Sequence, residues 1–492
     1  MEHFNPATQS IDVFVFDTLV QDELTHLKSV ASDFEAGVCD LRTLLEEENA
    51  ILHCATSMGK DSSVVTLMAV EAYRQSILAG TIEAERPLIL STINTGGEAI
   101  PMVFFVNYAK KRLEAYAKEH GINLIYDIVQ PPIHDQFYVK YASASKLIAN
   151  PTRHGDCSII LKLDPSQRYL RSMLSKMADY SNSKVISCVG SRTAESSRRS
   201  GNMKKQGIAK KGLKEIRTEL EESTIGGKAL LKYAPIKDWS TDSVFDLLRI
   251  AGSRPIRKVP GYEIPAFLPD FGLLLAIYGN GSSETCEIAV GSTASSGCNG
   301  KSRFGCVFCT LVSVKDHSSS ALAEKTRWNI LGASNALRVR DYLFRLSTDI
   351  DARSLHARAY DPTAYNRVAL QPNVLRVKHL EKMVRLASQL TVDSIKIAAD
   401  FRQLMAEGRE NEHPGIQDIL SDHSLAPKTK AAFVEMYKEG LQDPASMYTL
   451  FSLEHAILLS YRWSLEGPQL RFAPWRYGSK LKREKDAYHI RN

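Results

Sequence analysis

The chain has 492 residues, of which 44% are hydrophobic and 24% charged, the balance of a soluble globular protein with room for roughly two to four domains rather than of a rod or a disordered chain. Sixty-two Lys and Arg against 56 Asp and Glu leave a net charge of +6, a mild excess that matters only where it is concentrated. The longest apolar run, Phe271 to Tyr278, falls far short of the ~20 residues that span a bilayer, and the first residues carry no basic and apolar leader pattern, so a cytoplasmic protein with no membrane partner is expected.

Residues 1–48 read as an N-terminal helical lead-in, with Leu19, Leu24, Leu27 and Val30 followed by Leu41, Leu44 and Leu45. From 49 to 278 short β-rich runs alternate with helical stretches. The runs are Ala50 to Thr56, Leu88 to Thr95, Leu124 to Val129 and Lys184 to Val189. The helices are Ser62 to Gly80 and Glu98 to His120. Strands separated by helix-length segments predict an α/β fold with a parallel sheet and crossover helices. The Gly-rich basic stretch from Gly201 to Gly227 reads as a loop or lid, and 279–320, rich in small polar residues, Gly and Cys, as a liganded loop. Residues 321–492 read as a helical C-terminal region with a basic tail, for instance Leu380, Met383, Val384, Ala387 and Leu390 on one face.

The segment Ser57-Met58-Gly59-Lys60-Asp61-Ser62-Ser63 follows the first apolar run and precedes an amphipathic helix, which places it at the carboxyl edge of a parallel strand. Backbone N–H groups at the helix start, the hydroxyls of Ser57, Ser62 and Ser63, and a surface-facing Lys60 ammonium would make a socket for a polyphosphate. It is not a Walker A loop, because the motif's upstream Gly is missing, with Cys54 and Thr56 preceding Gly59-Lys60, and Asp61, not Ser or Thr, follows the lysine. Among eight cysteines, four cluster as Cys286-x11-Cys298-x7-Cys306-x2-Cys309. In a cytosolic chain this points to metal rather than disulfides, and spacing alone leaves tetrahedral zinc and an iron-sulfur cubane both open. Cys54 and Cys188 sit in predicted strands and read as core thiols, and His53 as a strand histidine.

The loop resembles the SGGKDS motif of the PP-loop ATP pyrophosphatases, with Met58 in place of the usual second Gly. Together with the later cysteines it makes the chain similar to the PAPS reductase-like ATP pyrophosphatases of bacterial DNA phosphorothioation, the DndC and SspD type. The likeness covers most of residues 50 to 315. Beyond Ser57 to Ser63 it rests on several landmarks. They are Arg153-His154-Gly155-Asp156-Cys157 with Leu161-Lys162 and Pro165; Gly190-Ser191-Arg192 with Glu195-Ser196 and Arg199; Pro235-Ile236 with Asp238-Trp239; and Ser302-Arg303-Phe304-Gly305-Cys306-Val307-Phe308-Cys309-Thr310.

The resemblance implies an adenine nucleotide alpha hydrolase-like, Rossmann-like domain that cleaves ATP between the α and β phosphates with Mg²⁺. It further implies adenylation of a DNA backbone phosphate for sulfur incorporation, as part of a restriction-modification-like phage defence. Its implied partners are DNA, a cysteine desulfurase as persulfide donor, and other phosphorothioation-system proteins. It also implies a [4Fe-4S] cluster on Cys286, Cys298, Cys306 and Cys309. On this reading Ser57, Gly59, Lys60, Asp61, Ser62 and Ser63 bind the nucleotide, and Lys60 neutralises the pyrophosphate while Asp61 orients Lys60 or the metal. Arg192 and Arg199 contact phosphate, with Glu195 ordering one of them. Cys157, beside Arg153, His154 and Asp156, is a candidate catalytic sulfur acceptor. Lys162 is either a phosphate contact or a plain surface lysine.

Two basic segments suit a polyanion. One runs from Arg198 to Lys214 without an acid. The other runs from Arg471 to Arg491 with Phe472, Trp475, Tyr477 and Tyr488 among its bases. Two rival readings are a PP-loop tRNA thiolation enzyme and a non-catalytic, metal-stabilised, nucleotide-sensing DNA-binding component. Sulfonucleotide reduction itself is disfavoured, because there is no ECGLH-like terminal motif for a reductive thiol.

Overall fold

A computed structural model describes residues 6–144, 146–150, 157–177, 184–193, 212–222, 230–280, 304–311, 316–361 and 367–466. The apolar runs form strands β1 (Ala50–Ala55), β2 (Leu88–Ile93), β3 (Leu124–Val129), β4 (Lys184–Cys188) and β5 (Leu230–Tyr233), arranged in one sheet in the order β3-β2-β1-β4-β5. β1 pairs in parallel with β2 and with β4, and β4 in parallel with β5. Parallel neighbours need crossovers, and helices Lys60–Leu78 and Ile100–Glu119 supply them between β1, β2 and β3. The chain steps outward from β1 to β3 and then returns to the far side of β1, so strand order reverses between β1 and β4. In open parallel sheets that reversal opens a crevice at the carboxyl ends of the two strands.

β3 has its predicted bounds, and β1, β2 and β4 end one or two residues before theirs. β5 was not expected: its four residues are too few for a recognisable apolar run. The segment from Gly201 to Gly227, read as a loop, contains the helix Leu213–Glu222. The helical C-terminal region is interrupted by an antiparallel hairpin of β6 (Arg353–Asp361) and β7 (Arg367–Leu375). Pro372 inside β7 is one reason that strand is hard to recognise from sequence.

The chain divides into two compact units, one comprising Met1–Thr92, Ala109–Asp127 and Met177–Leu275 and the other Ile93–Tyr108, Ile128–Lys176 and Ala276–Asn492. In the first, the lead-in is a single helix, Pro6–Glu46, packed against Lys60–Leu78 and Thr241–Ile250. Leu27, Val30, Ala31, Phe34, Val38, Leu41, Leu44 and Leu45 are buried, a stripe at helical spacing. A Cβ at Gly37 would lie 2.9 Å from Met68 Cε, the flexible end of that side chain. Polar ties fix the sheet ends: Glu48 accepts from Lys184 Nζ at 3.0 Å and Arg217 Nε at 2.9 Å, and Tyr233 Oη donates to Asp40 at 2.7 Å.

The second unit is mainly helical. Its core is an aromatic cluster of Phe104, Trp328, Phe433 and Tyr437, with Trp328 and Tyr437 ring centroids 5.7 Å apart. Beside it the buried Arg327 donates to Asp418 at 2.5 Å and Asp422 at 2.6 Å. The helix Phe137–Ala142 packs against Val377–Ala406 and Leu453–Glu466, and Trp463 Nε1 donates to Ala142 O at 2.6 Å. Among the described residues no helix is long and apolar enough to cross a membrane.

Candidate functional site

The first unit carries the candidate phosphate loop, Ser57 to Ser63, at the switch point between β1 and the helix Lys60–Leu78. Its root is braced by β2. Thr56 N–H donates to Ser91 O at 2.9 Å, and Thr56 O accepts from Thr92 Oγ1 at 2.7 Å. Met58 is fully buried and has φ +50°, the left-handed region that favours glycine. The departure from the usual second Gly is therefore taken up as backbone strain of about 1–2 kcal/mol, of the kind that collects at functional loops. Gly59 is the N-cap of the helix and has no side chain to cap with. Inside the loop Ser62 is the hub. Its Oγ accepts from Ser57 N–H at 3.2 Å, lies 3.2 Å from Ser57 Oγ, and donates to Gly59 O at 3.2 Å. Ser63 is buried, and its hydroxyl has no partner among the described residues.

Lys60 does not face solvent. It is 9% exposed, and its Nζ donates to Asp61 Oδ2 at 2.5 Å. The other oxygen of Asp61 accepts from Arg192 Nε at 2.5 Å. Arg192 comes from the segment after β4, the other strand of the switch point, and is 1% exposed. Its remaining nitrogens are also engaged, Nη1 with Trp239 O at 3.1 Å and Nη2 with Thr241 Oγ1 at 3.2 Å. The carboxylate that orders Arg192 is thus Asp61; Glu195 and Arg199 lie outside the described residues. Two cations on one carboxylate leave a net positive charge under a helix N-terminus, the field a polyphosphate needs. The segments meet because Gly190 has no side chain: a Cβ there would come within 2.9 Å of Asp61 C and of Ser62 N. Gly190, Trp239 and Thr241 are contributors that the sequence reading left without a role, although a Gly-Ser-Arg run directly after an apolar strand is a signal for a tight approach.

Below the loop, His53 bridges three strands, with Nδ1 3.1 Å from Ser187 Oγ and Nε2 2.9 Å from Ser91 Oγ. Burial pushes its pKa down to about 4, so it is a neutral strand histidine. Cys54 and Cys188 are buried register partners across β1 and β4; the neighbouring Cys54 thiol and burial hold the Cys188 thiol protonated.

The second unit carries the described half of the cysteine cluster. Cys306 and Cys309 form a turn, with Cys309 N–H donating to Cys306 O at 2.8 Å, and both are half-buried. The turn is locked on each side. Val307 N–H donates to Gly97 O at 2.7 Å, Phe308 stacks on Phe137 with centroids 4.3 Å apart, and Arg340 Nε donates to Cys309 O at 3.1 Å. The adjacent Cys309 thiol, burial and the Glu98 carboxylate push the Cys306 thiol up, and Lys162 opposes them. Lys162 is half-exposed and pairs with Glu98 at 3.1 Å. Cys157, half-buried, opens a helical segment that runs through a π-helical turn, Ile159–Leu163, into Asp164–Lys176. Arg153 to Asp156, Cys286 and Cys298 lie outside the described residues, as do most of the first basic segment and all of the second. Among the described residues no three His, Cys, Asp or Glu side chains converge as a metal site. Cys306 and Cys309 nonetheless fit half of a four-thiolate donor set, a close pair on a rigid turn.

Residues 51–255 match the family model of the phosphoadenosine phosphosulfate reductase domain. Over this segment the chain is similar to that domain. The family contains PP-loop enzymes that act on nucleotides, and the matched range takes in all five strands of the parallel sheet, apart from Ala50 of β1, together with the phosphate loop and Arg192. No curated protein and no solved structure matches the chain.

Proposed function

We propose that the PAPS reductase-like domain is an ATP pyrophosphatase that adenylates a DNA backbone phosphate and so prepares it for replacement of a non-bridging oxygen by sulfur. The observation that carries this reading is the cationic loop at the switch point, where Lys60, Asp61 and Arg192 join the two strands that flank the crevice. A phosphate oxygen of the DNA attacks the α-phosphorus of ATP. The α–β bridging P–O bond breaks, and pyrophosphate leaves into the loop, where Lys60 and the first-turn N–H groups take up its developing charge. Ser57, Ser62 and Ser63 complete the socket, and Mg²⁺ accompanies the nucleotide as counter-ion.

The adenylated phosphate is then open to a sulfur nucleophile. A persulfide delivered by a cysteine desulfurase attacks the DNA phosphorus and expels AMP with the former DNA oxygen. A second thiol then attacks the carrier sulfur, forms a disulfide with it and releases the phosphorothioate. Cys306 and Cys309, with Cys286 and Cys298, would hold the [4Fe-4S] cluster, which supplies one-electron chemistry and a cross-link for its loop when bound. Other phosphorothioation proteins would select the DNA site.

The test is to incubate the full chain with ATP labelled at the α-phosphate, with and without duplex DNA. AMP and pyrophosphate as the products, lost in Lys60→Ala, support the reading. ADP and phosphate, or no turnover, would exclude it.

A further inference from the structure

We infer that Arg192 is the positioning residue of the phosphate loop: it holds Asp61 from behind so that Asp61 sets the Lys60 ammonium, and it does not itself touch the nucleotide. The inference rests on the nucleotide-binding reading of the loop given above. Arg192 is 1% exposed, so no face of its guanidinium is left for a phosphate. Its Nε, Nη1 and Nη2 point to three separate acceptors, Asp61 Oδ1, Trp239 O and Thr241 Oγ1. Only a planar fork can serve three such directions at once; a lysine keeps the charge and loses the geometry.

The anchor behind the arginine is itself stitched down. Thr193 donates to Lys237 O twice, from N–H at 2.8 Å and from Oγ1 at 3.0 Å. Thr241 opens a helix whose N-cap, Ser240, accepts from Ser243 N–H. A fixed path therefore runs from the segment after β5 through Arg192 and Asp61 to Lys60. Asp61 is the joint, one oxygen bonded to each cation. A lysine side chain has four rotatable bonds, and the Asp61 carboxylate at its end favours the rotamer that keeps its ammonium in the loop.

The test is a double-mutant cycle in the full chain, with Arg192→Lys, Asp61→Asn and the two combined. Pyrophosphate release from ATP gives kcat and KM, titration calorimetry gives ATP affinity, and a thermal melt reports folding. A misplacement of order 1 Å costs roughly 100-fold in rate, so Arg192→Lys and Asp61→Asn should each lower kcat by roughly 100-fold, with much smaller changes in KM. Because they act through one joint, the double variant should lose no more than the worse single variant. Should Arg192→Lys fail to fold, Thr241→Val removes one anchoring bond and leaves the arginine in place. It should lower kcat several-fold while the chain stays folded, with a melting temperature lowered by only a few degrees.

Multiplicative losses in the double variant, or normal kcat in Arg192→Lys or Thr241→Val while the wild type turns over, would overturn the positioning role and leave the loop assignment standing. A wild-type chain that neither binds nor cleaves ATP would overturn the loop assignment, and the inference with it.

Discussion

Adding one methyl group at Gly190 should drive apart the two segments that make the phosphate loop. The new Cβ would lie 2.9 Å from Asp61 C, 2.9 Å from Ser62 N and 3.1 Å from Asp61 O, all of them backbone atoms that cannot rotate away. At a position free of such contacts, Gly→Ala stabilises by about 0.4–1 kcal/mol through the unfolded chain. Overpacking against fixed atoms costs about 1–3 kcal/mol, which leaves a net loss of about 1.5 kcal/mol. For a domain of about 150–250 residues that corresponds to a fall of roughly 3–6 °C in melting temperature. The displacement also falls on the Asp61 backbone, so pyrophosphate release should drop by more than the stability loss alone would cause. Gly305→Ala is the steric control, since its Cβ would meet Cys309 Cβ at an ordinary 3.6 Å and should melt near the wild type. A Gly190→Ala chain that melts at or above the wild-type temperature with full activity would refute the close approach.

Lys60→Ala should abolish pyrophosphate release. Because Lys60 is buried against Asp61, it should also cost about 1–2 kcal/mol, with Arg192 still compensating the carboxylate; a folded variant with normal release would remove the loop from the chemistry. Cys306→Ser and Cys309→Ser should each deplete bound metal, read as iron, sulfide and zinc in anaerobically purified protein, with about four irons expected in the wild type. Full metal content in both variants would contradict the site. Acid should destabilise the first unit through His53. Its folded pKa of about 4 lies below the ordinary 6.5, so its contribution is fully present above pH 6.5 and is lost as pH falls toward 4, by roughly 3 kcal/mol. His455, also pushed down to about 4 by burial, adds a similar loss in the second unit. His53→Gln should therefore flatten the first unit's share alone, seen in melts between pH 4 and 7, and an unaltered pH profile would count against the buried neutral imidazole.

Most of the sheet was legible because β1, β2 and β4 are buried apolar runs bounded by helix-length segments, and the half-buried edge strand β3 keeps enough apolar residues to stand out. The phosphate loop was legible for the same reason: Ser57 to Ser63 sits between an apolar strand and a helix. What escaped the reading depends on strand order. Arg192 and Asp61 are 131 positions apart and meet only because β4 lies beside β1, which no local pattern encodes. The inward turn of Lys60 follows from that same meeting, so a lysine expected at the surface is instead paired beneath it. The β6–β7 hairpin lies between helices and contains Pro372, and β5 is only four residues long, so neither carries enough periodicity to stand out. Cys306 and Cys309 were visible as a Cys-x-x-Cys pair, whereas the Gly97 and Phe137 surfaces that lock their turn come from distant segments.

The central claim is that ATP cleavage at this loop puts sulfur into DNA. The most direct measurement combines the anaerobic full chain, a cysteine desulfurase, cysteine, ATP and an equal mixture of duplex DNA and tRNA, followed by nuclease digestion and mass spectrometry. Phosphorothioate-linked dinucleotides from the DNA, dependent on ATP and absent with Lys60→Ala, are the predicted result. Sulfur found in tRNA nucleosides, or in neither nucleic acid while ATP is still bound, would contradict it.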